Sequence, residues 1–98
     1  MPSLGSVWPD IAIHPGETLE EELGARGMTQ KDLAQRLGKP PQAVNEIVRR
    51  RKGISAEMAI ALEGALGISR RFWMTLQSDY ELTLAHHQQQ SPGRSPER

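Results

Sequence analysis

Four polar side chains between positions 42 and 49 form the pattern in this sequence with the clearest chemical use. Gln42, Asn45, Glu46 and Arg49 are spaced i, i+3, i+4 and i+7, so on a helix they lie along one face. Gln and Asn can pair in bidentate fashion with adenine, and Arg can do so with guanine. Glu can accept from a cytosine amine or hold a neighbouring arginine through a helical pair. The stripe therefore predicts a helix that reads base edges in the major groove of double-stranded DNA.

Residues 29 to 50 predict two short amphipathic helices separated by a tight turn. Thr29 is a suitable N-cap for the first helix, and Gly38 suits the positive φ at its end. The second helix is expected from about residue 41 to residue 50. The apolar residues that would face inward are Leu33, Ala34 and Leu37 in the first helix and Val44, Ile47 and Val48 in the second. This is the layout of a helix-turn-helix, in which one helix braces against the phosphate backbone and the next enters the major groove.

Basic residues are concentrated in the same part of the chain. The formal net charge is zero, but residues 26–52 hold eight bases and two acids, which gives 8 − 2 = +6. Residues 1–25 hold five acids and no Lys or Arg. DNA affinity depends on how many phosphates one face neutralises, so the local charge matters more than the total. The side chains expected to contact phosphates here are those of Thr29, Gln30, Lys31 and Lys39.

Three further helices are predicted to complete an all-α, five-helix domain over residues 14–85. The first begins at His14-Pro15-Gly16-Glu17, because proline fits a first helical turn and an acid suits the helix dipole there. Ser55 caps a fourth helix and Ser69 a fifth. No alternating strand pattern occurs. Residues 1–13, which include Trp8, are interpreted as an extended arm, and the low-complexity residues 86–98 as a disordered tail.

The fifth predicted helix has a wide apolar face. Burial in the core is the usual fate of apolar residues at helical spacing, and a ligand pocket is a less favoured interpretation. One small domain is not expected to cover the whole face, so the surplus predicts a two-fold dimer interface. The residues assigned to that interface are Trp73, Leu76, Tyr80 and Leu84.

The sequence does not indicate an enzyme, a metal site, a cofactor or a membrane protein. There is no cysteine, and the histidines His14, His86 and His87 do not form a convergent set of ligands. A structural role in packing or a local hydrogen bond is expected for His14. No nucleophile–base pairing, phosphate-cradling glycine loop or cofactor fingerprint is present. Without an apolar run of about 20 residues or a signal peptide, the chain is expected to be soluble and cytoplasmic.

Two long segments closely resemble the HigA-type antitoxins, also called VapI-like, of the XRE or lambda-repressor-like helix-turn-helix superfamily. They are IHPGETLEEELGARGMTQKDLAQRLG and RRKGISAEMAIALEGALGISRRFWMTLQSDYEL. TQKDLAQRLG indicates only the superfamily, whereas HPGE, KGISAEMAIALEGALG and FWMTLQSDYEL are more particular to the HigA group. The resemblance, over about residues 13–85, implies a dimeric repressor that binds its own operator. It also implies a co-encoded HigB-type partner, a ribosome-dependent mRNA-cleaving toxin that the protein neutralises.

The resemblance also assigns residues by position. Thr29 and Gln30 match the phosphate-bracing start of the second helix. The basic loop that approaches the DNA backbone is matched by Arg51 and Lys52. The reading segment of the third helix is matched by Pro41, Gln42, Ala43, Asn45 and Glu46.

The chain departs from the family pattern around the third helix. Lys39 stands where an apolar residue is usual, and Pro40 replaces a Ser or Thr N-cap. Loss of a hydroxyl cap typically costs about 1 kcal/mol. Arg49-Arg50 replaces a common Asn-Gly turn and adds charge.

Three functions fit the sequence. The leading hypothesis is an antitoxin that represses its own operon through a palindromic operator, with the acidic first 25 residues contacting the toxin. The second is a solitary regulator of the same fold without a toxin. The third is a protein-interaction module that no longer binds DNA, which the +6 segment disfavours and the missing cap at Pro40 favours. A small basic toxin-like product of the neighbouring reading frame would separate the first hypothesis from the second.

Overall fold

Five α-helices and no β-strand form the part of the chain that the structure, a computed structural model, describes, residues 11–90. In chain order the helices are α1 (Pro15–Arg26), α2 (Gln30–Leu37), α3 (Pro41–Val48), α4 (Ala56–Leu66) and α5 (Arg70–Gln90). This confirms the all-α, five-helix prediction. None of the described helices is long and apolar enough to cross a membrane.

The helix ends show why these short segments are helical. The Thr29 hydroxyl accepts the Asp32 N–H and the Asp32 carboxylate accepts the Thr29 N–H, both at 3.0 Å, which completes a capping box at the start of α2. Gly38 ends α2 at φ 68°, where a Cβ is disfavoured. Ser55 caps α4 by accepting the Met58 N–H at 3.1 Å. Pro40 stands at the N-cap of α3 and supplies no side-chain hydrogen bond, as expected for the missing hydroxyl.

The core is built from the inward faces of all five helices, and the predicted inward residues of α2 and α3 lie in or against it. Helix α3 packs against α1 and α2, while α4 packs against α2 and α5. The buried apolar residues are Leu19, Leu23, Leu33, Ala34, Val44, Ile47, Val48, Ile54, Met58, Ala59, Leu62, Leu66 and Trp73. This arrangement fixes α2 and α3 against each other and leaves the opposite face of α3 outward.

Trp73 belongs to this core, so its assignment to a dimer interface is wrong. Its exposed fraction is 0%, and its Nε1 has no hydrogen-bond partner among the described residues. The reason is that the first turns of α5 pack on α4, so the apolar surplus begins further along the helix. Phe72, the preceding residue, has an exposed fraction of 43% and packs edge-on against the Trp73 ring.

Two predicted boundaries also differ from the structure. Helix α3 ends at Val48 rather than near residue 50. Helix α5 runs to Gln90, five residues into the segment, 86–98, that was predicted to be disordered. Ala, His and Gln are compatible with helix, and no Gly or Pro occurs between Gly67 and Pro92. The helix therefore continues after its apolar pattern has ended. Residues 91–98, and residues 1–10 with Trp8, lie outside the described residues.

Candidate nucleic-acid interface

The outer face of α3 carries the four side chains that the sequence pattern selected. Gln42 and Arg49 are exposed, while Asn45 and Glu46 are half-buried at the edge of the helix-turn-helix. Val44 on the opposite side is fully buried. The structure therefore brings the predicted reading residues together on one accessible face.

A hydrogen bond between α2 and α3 orients the middle of this face. The Asn45 side-chain amide Nδ2 donates to Gln30 Oε1 at 3.0 Å. Gln30 keeps its own Nε2 donor for a phosphate, and Asn45 keeps Oδ1 and a second N–H for a base edge. The side chains predicted to contact backbone and base are thus linked, which holds Asn45 in one orientation. No periodic pattern indicates this pair, because it joins residues on different helices.

Glu46 pairs with Lys52, not with Arg49 or Arg50 as the helical-pair interpretation suggested. Its Oε1 lies 3.4 Å from Lys52 Nζ. The Glu46 backbone carbonyl also accepts the N–H groups of Arg51 at 2.8 Å and Lys52 at 3.1 Å. The chain turns back sharply after Val48, so Lys52 returns to the Glu46 carboxylate. This partial neutralisation reduces the repulsion that Glu46 would exert on nearby phosphates.

Residues 49–52, the basic loop, close the reading helix with a Schellman-type turn. Arg50 has φ 62°, and its N–H donates to the Ile47 carbonyl at 3.0 Å. The Arg50 guanidinium turns towards α1, where its Nε lies 3.6 Å from Glu17 Oε2. Arg49, Arg51 and Lys52 are exposed. Of the four basic residues in the loop, Arg49 and Arg51 make no ion pair with another described residue, whereas Lys52 pairs with Glu46 and Arg50 with Glu17.

The remaining predicted contact residues flank this loop and the start of α3. Lys31 is exposed on the first turn of α2, while Lys39 and Ala43 are half-buried around the turn and the start of α3. The Thr29 backbone N–H donates to the Asp32 carboxylate, so the hydroxyl proton is the donor that Thr29 can offer to a phosphate. The Thr29 backbone and side-chain hydrogen bonds lower the pKa of Asp32, so this cap is ionised at neutral pH.

Helix α5 holds the segment that follows the basic loop, a contact that is absent from the predictions above. Gln77 Oε1 accepts the Ile54 N–H at 2.8 Å, and Gln77 Nε2 donates to Glu81 at 2.7 Å. A Cβ at Gly53 would meet the Gln77 side-chain amide, so glycine permits this close approach. The signal in the sequence for this contact is that Gln77 is a polar residue within a largely apolar face of the fifth helix.

Of the other residues assigned to a dimer interface, Leu76 and Tyr80 line a groove between α1 and α5, and Leu84 lies further along α5. Leu76 and Tyr80 are half-buried, and Leu84 has an exposed fraction of 38%. The groove has a volume of about 290 Å³ and is lined by Ile11, Ile13, Thr18, Leu76, Asp79, Tyr80 and Thr83. Ile11 and Ile13 have exposed fractions of 72% and 58%. An apolar surface thus remains next to α5 without the contribution of Trp73.

Comparison with known proteins indicates one family, of helix-turn-helix proteins. A helix-turn-helix family model (HTH_3) matches residues 19–73. Virulence-associated protein I of Dichelobacter nodosus is 41% identical over 81 residues, which cover 82% of this chain and 75% of that protein.

Solved structures of similar sequence share the fold. The Pseudomonas aeruginosa antitoxin HigA, solved with the higBA promoter, is 40% identical with a TM-score of 0.76, and the match covers 88% of this chain and 98% of that one. The structure of PA4674 from Pseudomonas aeruginosa in complex with a 28-bp operator DNA is 44% identical with a TM-score of 0.75, covering 79% and 86% of the two chains. The chain thus has the fold of DNA-binding helix-turn-helix antitoxins.

Proposed function

The chain belongs to the HigA-type, or VapI-like, group of the XRE (lambda-repressor-like) helix-turn-helix family, and we propose that it is an antitoxin that represses its own operon. In this proposal it binds an operator through α3 and neutralises a co-encoded mRNA-cleaving toxin of the HigB type. The observation that carries the DNA-binding part is the outward stripe of α3, buttressed by the Gln30–Asn45 hydrogen bond at 3.0 Å. Similar chains have been solved with promoter or operator DNA, which supports the same role here.

The charges around the stripe support a phosphate-binding role. Arg49 and Arg51 are exposed and make no ion pair with another residue in the described range, 11–90. Lys31 is exposed on the first turn of α2, next in sequence to Gln30. Exposed basic side chains next to a reading helix are of the kind that contact phosphate oxygens. We therefore assign Gln42, Asn45 and Arg49 to base edges, and Lys31 and Arg51 to the phosphate backbone.

Operator binding can be tested by titrating DNA from upstream of the gene, and random DNA of equal length, at several salt concentrations. Arg51→Ala should weaken binding to both DNAs and lower the salt slope by about one. Arg71→Ala is the matched control, because it removes the same charge from an exposed residue beyond the opposite end of α4. Equal effects of the two substitutions, or no preference of the wild-type protein for the upstream DNA, would contradict the assignment.

We propose that two copies bind a palindromic operator together. A mismatched base pair typically costs only about 1–3 kcal/mol, so one copy with a few reading side chains discriminates weakly. Pairing through Leu76, Tyr80 and Leu84 at the exposed part of α5 would double the reading surface. Two-fold symmetry then requires an inverted repeat with half-sites about one helical turn apart.

The acidic first helix is the surface that we assign to the toxin. Glu17 pairs with Arg50 and Glu22 pairs with Arg26, so part of its charge is used within the chain. Glu20 and Glu21 are exposed on α1, and a basic RNA-cleaving protein would complement them.

Co-purification with the product of the adjacent reading frame tests the toxin assignment. Glu21→Gln should weaken that complex more than Glu57→Gln, which removes an equally exposed acid from α4. Equal toxin affinity of the two variants would move the interface away from α1. If the protein binds the DNA upstream of its gene but no toxin is encoded nearby, a solitary regulator is favoured instead.

A further inference from the structure

Residues 14–17, which we name the entry turn, lie outside the DNA-reading stripe but contact its supporting loop. The entry turn has the sequence HPGE and leads into α1. None of its residues has a part in the base or phosphate contacts assigned above. Its neighbours are the end of α3, the basic loop and α5.

Gly16 brings the entry turn directly onto the end of the reading helix. A Cβ built at Gly16 would overlap the Ile47 backbone carbonyl oxygen. That carbonyl accepts the Arg50 N–H at 3.0 Å and thereby forms the turn that starts the basic loop. Gly24 in the same helix has no atom within 4 Å of the corresponding position. The close approach is therefore specific to Gly16 and involves a backbone group that cannot rotate away.

Glu17 contacts the residue of the basic loop that has the least favourable backbone conformation. Arg50 is the only described non-glycine residue with positive φ, at 62°. Its guanidinium donates to the Val48 carbonyl at 3.3 Å and lies 3.6 Å from Glu17. Left-handed backbone is disfavoured for a residue with a Cβ, so contacts that hold the Arg50 side chain also favour this loop conformation over others.

His14 fixes the entry turn itself. Its Nδ1 accepts the Gly16 N–H at 2.8 Å, and its ring is buried. The ring packs edge-on against Tyr80 of α5, with ring centroids 4.8 Å apart and an interplanar angle of 71°. The entry turn is thus a rigid element anchored on α5 rather than a loose connection.

We propose that the entry turn is a positioning element for DNA binding, which sets the basic loop so that Arg51 and Lys52 reach phosphates. Gly16 packs directly against the Ile47 carbonyl, where the turn into the basic loop begins. The Glu17 carboxylate pairs with Arg50 and holds this side chain towards α1, away from the DNA-reading face. A preordered loop loses less conformational freedom on binding than a mobile one. The proposal rests on the proposed DNA-binding function, and it gives Glu17 an effect on affinity opposite to that expected from its charge alone.

A comparison of Glu17→Gln with Glu20→Gln tests this directly. Both remove one acid from α1, which by simple electrostatics should strengthen DNA binding slightly. Positioning predicts that Glu17→Gln instead weakens binding to operator and random DNA by about twofold to fivefold, the range of a surface ion pair. Its salt slope should fall, while its melting temperature stays close to that of Glu20→Gln. In an Arg50→Gln background, Glu17→Gln should cause no further loss of affinity.

Gly16→Ala with Gly24→Ala is a second matched pair. The Cβ at position 16 must displace the end of α3, so operator affinity should fall about tenfold or more at a temperature where circular dichroism shows a folded protein, the loss expected when one bidentate base contact is misplaced. Gly24→Ala should bind like the wild type. If Gly16→Ala does not fold, the Glu17 comparison still decides.

The outcomes separate the two proposals. Wild-type binding with indistinguishable behaviour of Glu17→Gln and Glu20→Gln would overturn the positioning role and leave the proposed function intact. A wild-type protein that binds neither operator nor random DNA would overturn the proposed function, and the positioning role with it.

Discussion

Acid should destabilise this domain through a single buried residue, His14. The Nδ1 atom of its ring accepts the Gly16 N–H at 2.8 Å, which requires that nitrogen to be unprotonated. Burial is the main reason that the pKa of His14 lies below its ordinary value of 6.5, and the positive charge of Arg50 lowers this pKa further. Glu17 and a backbone hydrogen bond with Lys52 act in the opposite direction without reversing the shift.

The sign of the pH dependence follows from this lowered pKa. Between the folded and unfolded pKa values, the unfolded chain binds the proton and the folded chain does not, so the free energy of unfolding rises with pH. The stabilisation from neutral His14 is fully present above pH 6.5, the unfolded value, and is lost as the pH falls through the folded pKa.

The size of this destabilisation can be estimated from the hydrogen bond that protonation of His14 removes. Losing an N-cap acceptor typically costs about 1 kcal/mol. For a domain of this length, about 1 kcal/mol corresponds to a change of roughly 4–8 °C in melting temperature. His14→Asn keeps a side-chain oxygen that can accept the Gly16 N–H and has no titrating group, so it removes the pH dependence while retaining the cap.

Thermal denaturation between pH 7.5 and pH 5 measures the difference. The wild-type melting temperature should fall by about 4–8 °C more than that of His14→Asn over this interval. Parallel curves for the wild type and His14→Asn would refute the assignment of acid sensitivity to this cap.

Further predictions concern the reading helix and assembly. Ile47→Asp places an unpaired charge in the core and should remove several kcal/mol from the free energy of unfolding measured with urea; a normal urea midpoint would contradict the packing of α3. Gln42→Ala should lose about 1–3 kcal/mol on the operator but little on random DNA in parallel titrations, and equal losses would exclude a base contact. Leu84→Asp should produce a helical monomer by light scattering and lose tight operator binding, whereas an unchanged dimer would place the interface elsewhere.

The positions of most helices could be predicted from the sequence because their signals are local. Thr29 with Asp32, and Gly38 nine residues after Thr29, mark the two ends of α2, since a cap and a left-handed terminus act within one or two turns. The buried face of α3 follows from the spacing of Val44, Ile47 and Val48. The outward stripe follows from the same period, so the candidate reading face was determined together with the fold.

Only the tertiary structure decided how residues distant in sequence are joined. The Gln30–Asn45 hydrogen bond and the Glu17–Arg50 ion pair depend on how α3 and the loop after it pack against α2 and α1, for which helical periodicity carries no signal. The burial of Trp73 likewise depends on where α4 covers the wide apolar face of α5. Helical periodicity specifies which side of a helix is apolar, whereas packing against particular neighbours determines which residues on that side become core and which remain available to a partner.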